Sequence, residues 1–178
     1  KVDPQNQSAY IDTLMMIYDQ RIQYFGKEGY LLGLKGYELI NIDESRAEES
    51  LGYLRQSLEI DGNNSSVYAV LAYMEAVVNL ETRGEKTKHD VLEAYVRLSE
   101  IVDYNIVALQ TQISDLRNDS LKNAKSLTIL QSKYAQLNDA LKKIENQFTP
   151  YANCEDLIAV FSVKFDPATN DISFLNKI

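Results

Sequence analysis

The chain has no tryptophan, one cysteine, one histidine, three prolines and seven glycines among 178 residues. Each shortage removes a class of protein. A single thiol, Cys154, leaves no intrachain disulfide and no cysteine-rich zinc site. A lone thiol in a helical stretch with apolar residues on either side of segment 153–156, it reads as a small buried hydrophobe. So little proline and glycine disfavours an all-β fold, which needs many tight turns. No apolar run reaches the roughly 18 residues that a membrane-spanning helix requires. Positive charge is scarce too. Lys and Arg number 18 against 26 Asp and Glu, a net charge of −8, and a field of that sign opposes phosphate, so nucleic acid is not an expected partner. What is present is 45% hydrophobic residues, with 12 tyrosines and 5 phenylalanines, enough for a packed core.

Helical periodicity dominates. Ile11, Leu14, Met15, Tyr18, Ile22 and Phe25 recur three and four apart and predict a helix over 8–25. Further helices are expected over 28–41, 46–60, 65–82 and 87–103. Their buried stripes are Ala47, Leu51, Leu54 and Leu58 on the third, Val67, Val70, Leu71, Met74 and Val78 on the fourth, and Val91, Tyr95, Leu98 and Val102 on the fifth. Gly84 breaks the chain between the last two. No segment alternates with period two for long enough to predict a strand.

From Ile106 to Phe148 apolar residues keep a three-four spacing, with Ser120 and Asn123 as polar interruptions and neither Gly nor Pro inside. The pattern is that of a coiled-coil seam. It fits one long helix, favoured by the unbroken register, or a hairpin turning at Arg117-Asn118-Asp119-Ser120. The seam either covers the hydrophobic face of its neighbours or pairs with a second chain, Ser120 and Asn123 then setting the register.

A short pattern, apolar-Asp-turn-Asn, recurs at Val2-Asp3-Pro4-Gln5-Asn6, Ile60-Asp61-Gly62-Asn63, Val102-Asp103-Tyr104-Asn105 and Phe165-Asp166-Pro167-Ala168-Thr169-Asn170. Pro or Gly ends one helix and Asn or Ser caps the next, which predicts short links between antiparallel helices. Helix pairs repeated in this way stack into a solenoid. The units run approximately 8–62, 63–104 and 105–167, with another starting at 168–178. The chain opens at Lys1 without an initiator Met or an apolar leader and stops inside an amphipathic stretch, so both ends read as cuts in a longer protein.

The segment Ser50-Leu51-Gly52-Tyr53-Leu54-Arg55-Gln56-Ser57 resembles the second helix of a tetratricopeptide (TPR) repeat: small Ser50 and Ser57 flank large Leu54, and Gly62 stands where the family usually has Pro. Tyr68, Leu71 and Ala72 resemble the first helix of the next repeat, and Leu32 and Gly36 that of the preceding one. The spacing departs from the family's period of about 34 residues. More narrowly, Ile17–Gly26, Gly29–Gly33, the Asp103-Tyr104-Asn105 exit and Phe148–Asp156 resemble a group of TPR-containing proteins of the Gram-negative anaerobe cell envelope, which have no assigned activity. The resemblance implies an all-α, TPR-like α-solenoid of antiparallel helix pairs, a removed signal peptide, and a periplasmic or envelope location.

The residues that invite a catalytic reading have simpler ones. Gly26, Gly29, Gly33 and Gly36 lack the Lys-Ser/Thr ending of a phosphate-binding loop and no strand precedes them; a glycine stripe on a helix lets another helix approach closely. His89 sits among Glu85, Asp90 and Glu93 in a charged, solvated segment, so no metal site is expected. Glu44, Glu48 and Glu49 face Arg46 and Arg55 as an ordinary charged surface. With no nucleophile elbow and no Cys–His pairing, the chain is expected to be neither an enzyme nor a cofactor carrier.

The tyrosines remain. In a TPR array the first helix of each pair lines a concave groove. Mapped by the resemblance, that face carries Tyr30, Tyr37 and Asn41 in one unit and Ser66, Ala69, Tyr73 and Ala76 in the next, while Tyr68 is a helix-packing position. Tyrosine offers contact area and a hydroxyl, which suits recognition of a peptide or partner helix; the same rings could instead pack between helices. The expected function is a non-catalytic scaffold for a protein or peptide partner. The alternatives are a carbohydrate-binding envelope module, with Tyr30, Tyr37 and Asn41 against a glycan, and a coiled-coil assembly protein.

Overall fold

The structure, a computed structural model, describes residues 7–118 and 124–153, and every regular element among them is helical. In chain order these are α1 (Gln7–Phe25), α2 (Glu28–Ile42), α3 (Ala47–Asp61), α4 (Val67–Thr82), α5 (Lys88–Asn118) and α6 (Ala124–Phe148). The all-α expectation holds. Cys154 and the turn patterns near Asp3 and Asp166 lie outside the described residues, as do Ser120 and Asn123.

The breaks are where short-range chemistry puts them. Gly26, Gly62 and Gly84 all have positive φ (+69°, +53° and +74°) and end α1, α3 and α4 in turn. The Ser66 hydroxyl accepts from the Ala69 amide at 3.2 Å and caps α4. Thr87 and Asp90 cap each other before α5: the Thr87 amide and hydroxyl both donate to the Asp90 carboxylate, at 2.7 and 2.6 Å, and the Thr87 hydroxyl accepts from the Asp90 amide at 3.3 Å.

Two expectations need correction. The Asp103-Tyr104-Asn105 pattern does not end a helix, because α5 runs through it to Asn118. With no Gly or Pro between Lys88 and Asn118 nothing stops the ladder. The Asn105 amide does not cap a new helix either. It donates to the carbonyls of Ile101, 2.8 Å away, and of Asn63, 2.6 Å away, tying α5 to the link after α3. Nor is Ile106–Phe148 one helix. Its two parts belong to α5 and α6, which pack against each other. The Gln110 amide donates to the Tyr134 hydroxyl at 3.1 Å, and Tyr95 stacks on Phe148, so the helices run antiparallel. The heptad seam is used within the chain, each arm covering the other.

α2 packs on α3 along the glycine stripe. A Cβ on Gly33 would stand 2.8 Å from Ser57 Oγ and 2.9 Å from the Ala69 Cβ, and one on Gly36 would stand 2.5 Å from Leu54 Cγ. Glycine here is a requirement of close approach. The Ser50 hydroxyl uses the same proximity to donate to the Gly36 carbonyl at 2.8 Å. α4 then packs on α2, α3 and α5, and α6 packs on α4 and α5. The main core follows: Leu51, Leu54, Leu58, Val70, Met74, Leu80, Val91, Leu98 and Ile144 are almost wholly buried. A smaller cluster of Ile11, Met15, Tyr18, Leu31 and Leu39 seats α1 on α2. Phe25, expected on the buried stripe of α1, is instead 80% exposed in its last turn.

Charges fasten α1 at two further points. Buried Lys35 reaches Asp19 at 2.5 Å and lies 4.0 Å from the centroid of the Tyr53 ring. The Tyr53 hydroxyl donates to Glu49, Glu49 accepts both Nε and Nη2 of Arg46, and Arg46 Nη1 reaches Asp12 at 2.8 Å.

Candidate functional site

α2 has one side on α3, where Gly29, Gly33, Gly36 and Ile40 are buried, and another on α1, through Leu31 and Leu39. The remaining side carries Tyr30, Tyr37 and Asn41. Tyr30 is 44% exposed, Asn41 is exposed with its amide donating to the Tyr37 carbonyl at 2.7 Å, and Tyr37 is half-buried against the core. These three expected residues share one face. Beside them stands Tyr68 of α4, whose ring lies 5.3 Å from that of Tyr37 at 58°, the tilted arrangement that aromatic pairs favour.

The α4 half of the expected site is different. Ala69 and Ala76 have no exposed surface, so neither offers a partner contact. Ala69 fills the space left by Gly33. Ser66 is spent on capping α4. Tyr73 lies about 140° around the helix from Tyr68, at 100° per residue. It points to α3 and α5, where it lines a cleft with Arg55 and Arg97. The exposed α4 residue beside Tyr37 is Tyr68: it packs on Tyr37 across the two helices, as expected of a packing position, and is still 53% accessible. What could have identified it is its seven-residue spacing from Glu75: two turns apart on one face, a ring and a carboxylate that are poor candidates for a core position.

Glu75 completes this face. Burial pushes its carboxyl above the ordinary range and the nearby Glu44 charge adds to the effect. The arrangement is three tyrosine rings from two helices, rimmed at one end by carboxylates. It can bury apolar groups, offer phenolic hydroxyls, and meet a cation. It has no nucleophile paired with a base.

The second feature is the cleft at Tyr73, a cavity of about 270 Å³ between α3, α4 and the first turns of α5. His89, near it in sequence, is exposed and 3.4 Å from Glu93. No group of three or more potential metal ligands is found among the described residues. Among these residues no helix is long and apolar enough to cross a membrane. No family model, curated protein or solved structure matches the chain.

Proposed function

We propose that the chain is a TPR-like solenoid segment that binds a partner peptide or helix on the α2–α4 face, without catalysis. The observation that carries this reading is the pairing of Tyr37 with exposed Tyr68 across two helices, with Tyr30 on the same side. Packing supports the solenoid part: α4 touches both α2 and α6, as alternate helices do when repeated pairs stack. The small Ser50 and Ser57 around Leu54, on which the TPR resemblance rests, are all buried against α2 or α4.

The partner segment carries apolar side chains for the rings and a Lys or Arg for Glu75. A cation there would relieve the repulsion between Glu75 and Glu44 and an acidic segment would worsen it, so the rim selects by charge. The proposed compartment is the envelope of a Gram-negative bacterium, on the resemblance alone; recovery of the native protein in the cytosolic fraction of its source cell would contradict it.

The test is affinity capture from the source cell's envelope fraction, comparing the wild type with Tyr30→Ala and Tyr68→Ala. Both rings are at least 44% accessible, and helical circular dichroism verifies that each variant is folded. Loss of the captured partner in both variants supports the assignment, and unchanged recovery overturns it. Binding on a glycan array that both substitutions abolish would transfer the face to the carbohydrate reading.

A further inference from the structure

We propose that the cleft between α3, α4 and α5 is a binding site for a small organic anion, one with a carboxylate or phosphate head on a flat or apolar body. It is separate from the tyrosine face and does not rest on it.

The floor of the cleft is apolar: Leu51 from α3, Val77 from α4 and Ala94 from α5, all buried. The Tyr73 ring forms one wall, with the Arg97 guanidinium 6.0 Å from its centroid. The polar lining is Arg55, Lys86 and Arg97 against Asp90 and Glu93. In a chain of net charge −8 that is a local reversal of sign.

The three cations outnumber the two carboxylates, and one carboxylate is turned away from the opening. Asp90 accepts the amide and hydroxyl of Thr87, and those bonds hold it ionised and turned to the helix start. Glu93 lies at the exposed rim, 3.4 Å from His89 on its own helix. The three cations come from three places, α3, the α4–α5 link and α5, and converge on one opening. Two are arginines, whose planar forks match carboxylate and phosphate oxygens. The volume, about 270 Å³, lies just below the common range for small-ligand pockets, about 300–1,000 Å³. It suits a single ring with an anionic substituent. A ring seated on the apolar floor beside Tyr73 can present its head group to Arg55 and Arg97, which line the same cleft.

The test is calorimetric titration of the whole chain with phenyl phosphate, benzoate, inorganic phosphate and uncharged benzamide. Phenyl phosphate and benzoate are expected to bind and benzamide is not. Arg55→Gln and Arg97→Gln should each weaken phenyl phosphate about tenfold, as loss of a charge-assisted contact does. Tyr68→Ala should leave it unchanged, which separates this site from the tyrosine face. Arg55 is exposed, and helical circular dichroism verifies that both variants are folded. Failure of both organic anions to bind at millimolar concentration, equal binding of benzamide, or no effect of the double Arg substitution would overturn the proposal. Inorganic phosphate binding as tightly as phenyl phosphate would overturn the seat for an organic body.

Discussion

The rings of Tyr95 and Phe148 stack face to face, 3.9 Å between centroids and 8° from parallel. They join the first half of α5 to the last turn of α6, and with Gln110–Tyr134 further along they set an antiparallel register. Phe148 is almost wholly buried, so Phe148→Ala should destabilise the fold by about 3–5 kcal/mol, of which the stack itself supplies about 1. Urea denaturation measures the total. A loss under about 1 kcal/mol would mean that α6 is not seated on α5 as described.

Glycine positions on α2 and α3 should respond in opposite directions. Gly36→Ala places a methyl 2.5 Å from Leu54 Cγ and 3.0 Å from the Ser50 carbonyl, whereas Gly52 has nothing within 4 Å. Alanine favours a helix by about 1 kcal/mol, and overpacking costs about 1–3. Gly52→Ala should therefore raise the melting temperature and Gly36→Ala should lower it. Calorimetry of the two variants decides, and a stabilising Gly36→Ala would contradict the close approach of α2 and α3.

Two buried serines on α3 should also differ. Ser50 donates to the Gly36 carbonyl, while the Ser57 hydroxyl has no hydrogen-bond partner among the described residues. Ser50→Ala should cost about 1 kcal/mol, and Ser57→Ala should be neutral or stabilising by a similar amount, since it removes an unsatisfied group. Equilibrium unfolding resolves the pair.

Two glutamates predict opposite responses to acid. Arg46 holds the Glu49 carboxyl below its ordinary value of 4.5, so its contribution is present above that value and is lost as pH falls through the lower folded value. The stability cost of Glu49→Gln should shrink from pH 6 to pH 3. Glu75 is the reverse case. Burial raises it, the folded state favours its neutral form, and Glu75→Gln should stabilise at pH 7 with an advantage that disappears under acid. Stability measured across that range for both variants gives the signs.

The parts of this fold that were legible in the sequence rest on local periodicity. Ala47, Leu51, Leu54 and Leu58 fall on one side of a helix whatever surrounds it, and all four are buried. The glycine stripe gave the α2–α3 contact at three of its four positions, the fourth, Gly26, being a helix end. The reversal between α5 and α6 was hidden because both arms are apolar toward each other, so the spacing carries on as if the helix did. Ser66, Ala69, Tyr73 and Ala76 fall within one quarter of the α4 circumference by spacing, but what each of them meets depends on where α2, α3 and α5 sit. That is a tertiary fact: it turns Tyr73 to the cleft lined by α3 and α5 and leaves half of the Tyr68 ring exposed beside Tyr37.

The placement of these two rings is also where the account is most exposed. Peptides selected by display against the wild-type chain should bind Tyr73→Leu with unchanged Kd and bind Tyr68→Ala at least tenfold more weakly, as expected for an aromatic anchor. The opposite pattern, with Tyr68 dispensable and Tyr73 essential, would contradict the α2–α4 face as the site of recognition.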